Sequence, residues 1–191
     1  MNTTYKDIAQ LLERIENISF IKPDEFPDIP LYMDQVTSFI EEQLSPNKRN
    51  ESDKVLTKMM INNYAKNQLF PSPDKKRYTK DHLIIFTIIY YFKNFLTIND
   101  IRTLVRDMQA NADLTSLYTH MVETIQSCIP ECRAKVKRRL EKIFSDNYTA
   151  EEALHVFVAE LSYEIYLRKR LVETIIDYID LKNESTSEQL E

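Results

Sequence analysis

The sequence predicts an all-α fold in which a small β wing is possible. Apolar residues recur at spacings of three and four through most of the chain, and capping residues stand at the head of several of these runs. A proline-bounded basic segment in the middle has the composition of a turn or small hairpin. With 43% apolar residues in 191, the chain has enough material for one ordinary domain or two small ones.

Tyr5, Ile8, Leu11, Leu12 and Ile15 predict a first helix over 4–17, a peripheral arm before a break. Pro23, Pro27 and Pro30 lack amide hydrogens and push their neighbours toward extended conformations, so 20–30 becomes an irregular strap. Met33, Val36, Phe39, Ile40 and Leu44 mark an amphipathic helix, followed by a polar surface loop over 45–53. Thr57 caps a short helix reaching about residue 67, which Pro71 and Pro73 end. Lys75, Lys76, Arg77 and Tyr78 then form the basic turn, and Thr79 caps an apolar helix ending near 95.

Thr97 with Asp100 is a capping box with Asp in place of the usual Glu. Ile98, Ile101, Leu104 and Val105 give that helix its apolar face, with an end near 106. Leu114, Leu117, Met121 and Ile125 predict a helix to about 128, and Pro130 stands where a first-turn proline would start another, running to about 144. Thr149 with Glu152 opens the longest pattern, to about 181, and the tail from 183 reads as frayed or disordered. Along that helix Leu154, Val158, Leu161, Ile165, Arg168, Val172, Ile175 and Ile179 make a heptad-like seam, suited to packing within its own domain or to a dimer. The expected organisation is an N-terminal helix and strap (1–30), a winged module (31–108), a helical dimerisation or effector region (109–182) and the tail (183–191).

The net charge of −5 conceals a strong asymmetry. Residues 54–80 carry seven cations against one anion, +6, whereas 1–53 carry five against eleven, −6. The absence of glycine excludes phosphate-cradling loops and dinucleotide-binding fingerprints. Two cysteines, Cys128 and Cys132, are too few for a disulfide scaffold, and no secretory leader opens the chain, so a reducing cytoplasm is expected. The most apolar run, 83–92, falls short of the about 20 residues a bilayer demands.

A short helix, a basic turn between prolines, an apolar helix and a second short helix form the order of a winged helix-turn-helix. The run Met60-Ile61-Asn62-Asn63-Tyr64-Ala65-Lys66-Asn67-Gln68-Leu69-Phe70-Pro71 resembles the MerR recognition helix and its exit into the wing, with Gln68 where that family usually has glycine. Lys76-Arg77-Tyr78-Thr79 resembles the wing's closing element, and Leu96-Thr97-Ile98-Asn99-Asp100-Ile101 the step that follows. Two departures stand out: the linker before Thr57 is longer than the usual tight turn, and Asn62 and Asn63 replace an arginine and a tyrosine. From Phe26-Pro27-Asp28-Ile29-Pro30 through Val105 the chain is also similar to an uncharacterised bacterial family, domain of unknown function 1836, which brings no reaction or ligand with it.

The resemblance implies a DNA-binding transcriptional regulator whose helix enters the major groove of a duplex. Asn62 and Asn63 would meet an adenine edge, while Thr57, Lys58 and Lys66 lie along the same helix with the lysines on phosphates. Lys75, Lys76 and Arg77 would flank it as the wing, and Tyr78 would brace the wing on the core. A homodimer reading two half-sites is the natural arrangement. The alternative is a helical protein-interaction module without DNA binding, to which the acidic flanks point. A third class, a small-molecule sensor, would draw on Tyr118, Phe144, Phe157, Tyr163, Tyr166 and Tyr178, residues expected more simply in the core. His82, His120 and His155 stand apart from one another, and Cys128 and Cys132 straddle Pro130 without a histidine, so no enzyme, metal site or cofactor is expected. The basic cluster Arg133, Lys135, Lys137, Arg138, Arg139 and Lys142 reads as a solvated helix face.

Overall fold

The structure, a computed structural model, describes residues 3–14 and 18–188. It is all-α apart from one two-stranded sheet: seven α-helices among the described residues, organised in two compact units.

The larger unit comprises Ser19–Val122 and Leu171–Glu191. Strand β1 (Leu31–Tyr32) runs straight into α2 (Met33–Leu44), and a 3-10 turn, Ser45–Asn47, follows. Then come α3 (Lys58–Lys66), β2 (Arg77–Tyr78), α4 (Lys80–Phe92) and α5 (Ile98–Asn111), with the start of α6 (Leu114–Ser145) and the end of α7 (Ala150–Glu188) completing the unit. Helix α4 is the axis of the core. Leu83, Ile84, Ile85, Phe86, Ile88 and Ile89 are all buried, as a helix apolar on every side requires. Val36, Ile40 and Leu44 of α2, Ile61 and Tyr64 of α3, Ile101 and Val105 of α5 and Ile176 of α7 close around it. Each such side chain contributes about 1.5–3 kcal/mol on leaving water.

The strap is anchored. Ile21 and Phe26 are buried, the Tyr118 hydroxyl donates to the Ile21 carbonyl at 2.8 Å, and the rings of Phe26 and Tyr118 meet edge-on at 5.4 Å. Ser19 is held by Asn47, whose side chain accepts from its N–H at 2.7 Å and donates to its carbonyl at 2.8 Å.

The smaller unit comprises Met1–Ile18 and Glu123–Arg170. Helix α1 (Thr3–Arg14) packs Tyr5, Ile8 and Leu12 against Leu140, Ile143 and Phe144 of α6 and Ala153, Phe157 and Leu161 of α7. It is therefore built into a core and is not a peripheral arm; the expected extension over 15–17 lies outside the described residues. Glu164 sits among Lys135 at 2.7 Å, Arg139 at 2.7 Å and Arg168 at 3.2 Å, and these contacts, led by Lys135, hold its carboxyl below the usual carboxylate range against the opposing effect of burial. Two of the cations expected on a solvated face are thus in ion pairs.

Four sequence expectations change. Leu114–Ser145 is one helix where two are expected, because Pro130 removes a single hydrogen bond from a 32-residue helix, and the freed carbonyl belongs to Gln126, which is exposed to water. Helix α5 continues to Asn111 because Met108 extends the face of Ile101, Leu104 and Val105. Helix α7 runs on to Glu188, past the expected end near 181, with 189–191 outside the described residues. The heptad seam divides: Leu161 and Val172 pack against the cores, Val158, Ile165 and Ile175 are exposed, and the buried Ala153, Phe157 and Ile176 lie beside it.

Candidate nucleic-acid interface

Helix α3 is built to show one face and bury the other. Thr57 is extended at φ −118°, ψ 159°, and its hydroxyl accepts the Met60 N–H at 3.1 Å, capping the first turn. Ile61 and Tyr64 face the core, and burial pushes the Tyr64 phenol up. Met59, Asn62, Asn63 and Lys66 lie at i, i+3, i+4 and i+7 and are all exposed, lining one open concavity with Met60.

The helix ends in a two-bond C-terminal cap. The Gln68 N–H donates to the Ala65 carbonyl at 3.0 Å and the Leu69 N–H to the Tyr64 carbonyl at 3.1 Å, with Gln68 left-handed at φ 56° and Leu69 buried. The chain then turns at Asp74–Arg77. Lys75 and Lys76 have φ of 47° and 61°, and the Arg77 N–H donates to the Asp74 carbonyl at 2.8 Å. Positive φ at both central residues is the mirror-image turn that suits the twist of paired strands, and it normally recruits glycine or asparagine.

Beyond the turn, β2 pairs antiparallel with β1, Leu31 opposite Tyr78 and Tyr32 opposite Arg77. The basic turn stands where the sequence expects a turn or small hairpin, closed by an antiparallel bridge between Asp74 and Arg77; the strand that pairs with β2 comes from the residues preceding α2, a two-residue stretch too short to give an alternation signal. The pairing brings the start of α2, the start of α3 and the basic turn to one cleft of about 460 Å³, lined by Tyr32, Asp34, Lys58, Pro73 and Lys76 among others.

His82 locks the base of this element. The Thr79 N–H donates to Nδ1 at 3.1 Å, so that nitrogen is unprotonated and Nε2–H donates to the Pro71 carbonyl at 3.0 Å. Burial pushes its pKa down, opposed by the Pro71 carbonyl and Asp81. The imidazole packs edge-on against Phe70 at 5.7 Å and Tyr78 at 5.6 Å, and Phe86 lies 4.9 Å from Phe70. Both ends of the segment that carries the turn are thereby tied to α4.

On the other side, Glu41 pins the loop between α2 and α3. It accepts from the Val55 N–H at 3.2 Å and pairs with Lys48; burial raises its pKa, but these bonds outweigh it and the net shift is downward. Lys93 adds a bond to the Val55 carbonyl at 3.1 Å. The longer linker is a fixed connection.

The nine residues singled out from sequence divide clearly. Lys58, Asn62, Asn63 and Lys66 are exposed on α3, and Lys75, Lys76 and Arg77 are exposed at the turn. Thr57 is engaged as the cap. Tyr78 is buried between Phe70, His82 and Phe86, in the bracing position and away from solvent. Lys58 pairs with Asp34, and Asn63 Oδ1 accepts from Asn67 at 3.3 Å. Sequence reading missed Met59, 81% exposed, although its i−3 relation to Asn62 was legible, and missed Tyr32 and Asp34, which only the strand pairing brings near.

Cys128 and Cys132 are free and exposed on the continuous α6, so Pro130 does not separate their faces. The six aromatics considered for a sensor pocket do not share one environment: Tyr118 and Phe157 are buried, but Tyr163, Tyr166 and Tyr178 are exposed, contrary to their expected place in the core. Among the described residues no group of three or more His, Cys, Asp or Glu side chains could hold a metal ion, and no helix is long and apolar enough to cross a membrane.

The elements from β1 to α5 define a compact helical module with a two-stranded sheet and a basic turn beside an exposed helix face. The chain belongs to the domain of unknown function 1836 family, whose model matches residues 21–128, more than half of the chain and all of this module. No curated protein and no solved structure matches it.

Proposed function

We propose that residues 31–108 are a MerR-like winged helix-turn-helix that binds duplex DNA, and that the chain is a transcriptional regulator acting in the cytoplasm. The observation that carries this is the juxtaposition of two exposed features. An amide-and-lysine face on α3 lies beside a tight turn bearing Lys75, Lys76 and Arg77, and the Lys58 end of the helix and the Lys76 side of the turn share one cleft. Helix α3 would occupy the major groove, with Asn62 and Asn63 toward base edges and Lys66 toward phosphate, while the turn follows the neighbouring backbone. Lys58 would exchange Asp34 for a phosphate.

A second copy completes the reading, since one short helix contacts few base pairs. Leu171, Ile175, Tyr178 and Leu181 stand exposed at successive turns of the last part of α7 and support pairing between copies. The test is binding of the purified chain to genomic fragments across a salt titration, with the triple variant K75E/K76E/R77E beside it. Enrichment of a recurring, roughly palindromic site, with affinity that falls steeply in salt and is lost in the variant, is expected. Undiminished binding by the variant would sink the interface. No retention even at low salt, with capture of a discrete protein partner, would favour an interaction module instead.

A further inference from the structure

We infer that Met59 is a base-reading residue, and that it recognises the 5-methyl group of a thymine one step from the adenine that Asn62 pairs. This rests on the DNA-binding reading above and specifies the sequence it selects.

At 81%, Met59 is the most exposed large apolar side chain among the described residues. Its position is not incidental. It occupies the first turn of α3, on the same face as Asn62, Asn63 and Lys66, and lines the same concavity. The neighbouring Met60 is partly buried against the core, whereas Met59 is turned outward. A thioether exposed beside two amides and an ammonium group gains nothing from water. Lys66 lines the same concavity and Lys58 adjoins Met59 on the helix, so on the DNA-binding reading the occupant that satisfies both chemistries is a duplex with an apolar spot in its groove.

The major groove has one such spot on unmodified bases, the thymine C5-methyl. An unbranched, polarisable side chain suits it. Met59 and Asn62 are three residues apart, about 4.5 Å along the axis, close to the base-pair rise of about 3.4 Å. On a helix lying along the groove they meet adjacent pairs. Asn62 is the amide that would read adenine, because Asn63 Oδ1 accepts from Asn67.

The experiment uses the full chain and the duplex recovered by fragment enrichment, resynthesised with deoxyuridine replacing thymidine at one position at a time, which deletes single methyl groups and leaves every hydrogen-bonding edge in place. One thymine per half-site, beside an adenine, should weaken binding by about three- to fivefold per methyl on replacement. M59A should bind the thymine duplex with that same loss and no longer distinguish it from its uracil counterpart, while M59L retains the distinction. Circular dichroism and thermal melting check that both variants fold as the parent does. Indifference of the parent to uracil at every position overturns the inference while leaving DNA binding intact. Discrimination that survives in M59A overturns the assignment to this residue. Failure of the parent to bind any duplex overturns both this inference and the reading beneath it.

Discussion

Replacing Gln68 with glycine should make the protein more stable. Gln68 stands at the αL position after α3, with φ 56°, and the two backbone bonds that close the helix depend on that conformation. A residue with a Cβ pays roughly 1–2 kcal/mol for left-handed φ. Glycine avoids this but loses about 0.5–1 kcal/mol in additional chain entropy. The net gain for Q68G is therefore about 1 kcal/mol, or about 2–4 °C in Tm for a chain of this size. The Gln68 side chain is exposed, so its removal opens no cavity. Urea titration and thermal melting of parent and Q68G measure the gain, with Q68V as the opposite control: a β-branched residue at positive φ should melt below the parent. A Q68G protein that melts at or below the parent would refute the reasoning, since it would mean the glutamine side chain contributes more than its backbone conformation costs.

Two further outcomes follow from the same element. His82 has its pKa lowered in the fold by burial, so the native state binds fewer protons than the unfolded chain once pH drops below the unfolded value of about 6.5. Its contribution is fully present above that value and is lost as pH falls toward the folded pKa; the urea midpoint should drop between about pH 7.5 and about pH 5.5, and less so in H82Q, which keeps an acceptor at the third position of the helix without a titrating ring. An equal drop in both proteins would show that other groups dominate. T57A should cost about 1 kcal/mol through loss of the cap on Met60 N–H, read as a lower urea midpoint, and amide exchange should quicken first in the opening turn of α3; protection unchanged there would contradict the capping role.

Periodicity made the helices legible because each buries a stripe, and the positions of α2, α3 and α4 follow from Val36, Ile40, Ile61 and Leu83 to Ile89 with caps at Thr57 and Thr79. What escaped were features set by long-range pairing. Leu31 and Tyr32 form a strand only because Arg77 and Tyr78 arrive beside them, 46 residues later by the Leu31 to Arg77 separation, and two residues carry no alternation to detect. Pro130 misled because a local rule treats proline as a breaker, whereas a long helix absorbs one missing bond at an exposed carbonyl. For the candidate site, the charge window located Lys58, Lys66, Lys75, Lys76 and Arg77, and the chemistry of amides singled out Asn62 and Asn63. Met59 was overlooked because an apolar residue in a helix is assigned by default to the core, and only its exposure reverses that.

The turn at Lys75 and Lys76 places charge where economy of backbone energy would place asparagine and glycine. Conformational strain and electrostatic capacity are therefore vested in the same two residues. Any change that relaxes this turn also discharges it, so improvement of the scaffold and preservation of the basic tip pull in opposite directions there. At Gln68 the strained backbone carries no charge, and the two demands come apart. For engineering this chain, the two left-handed sites form a natural pair: one open to stabilisation, the other a place where added stability is withdrawn from the basic tip.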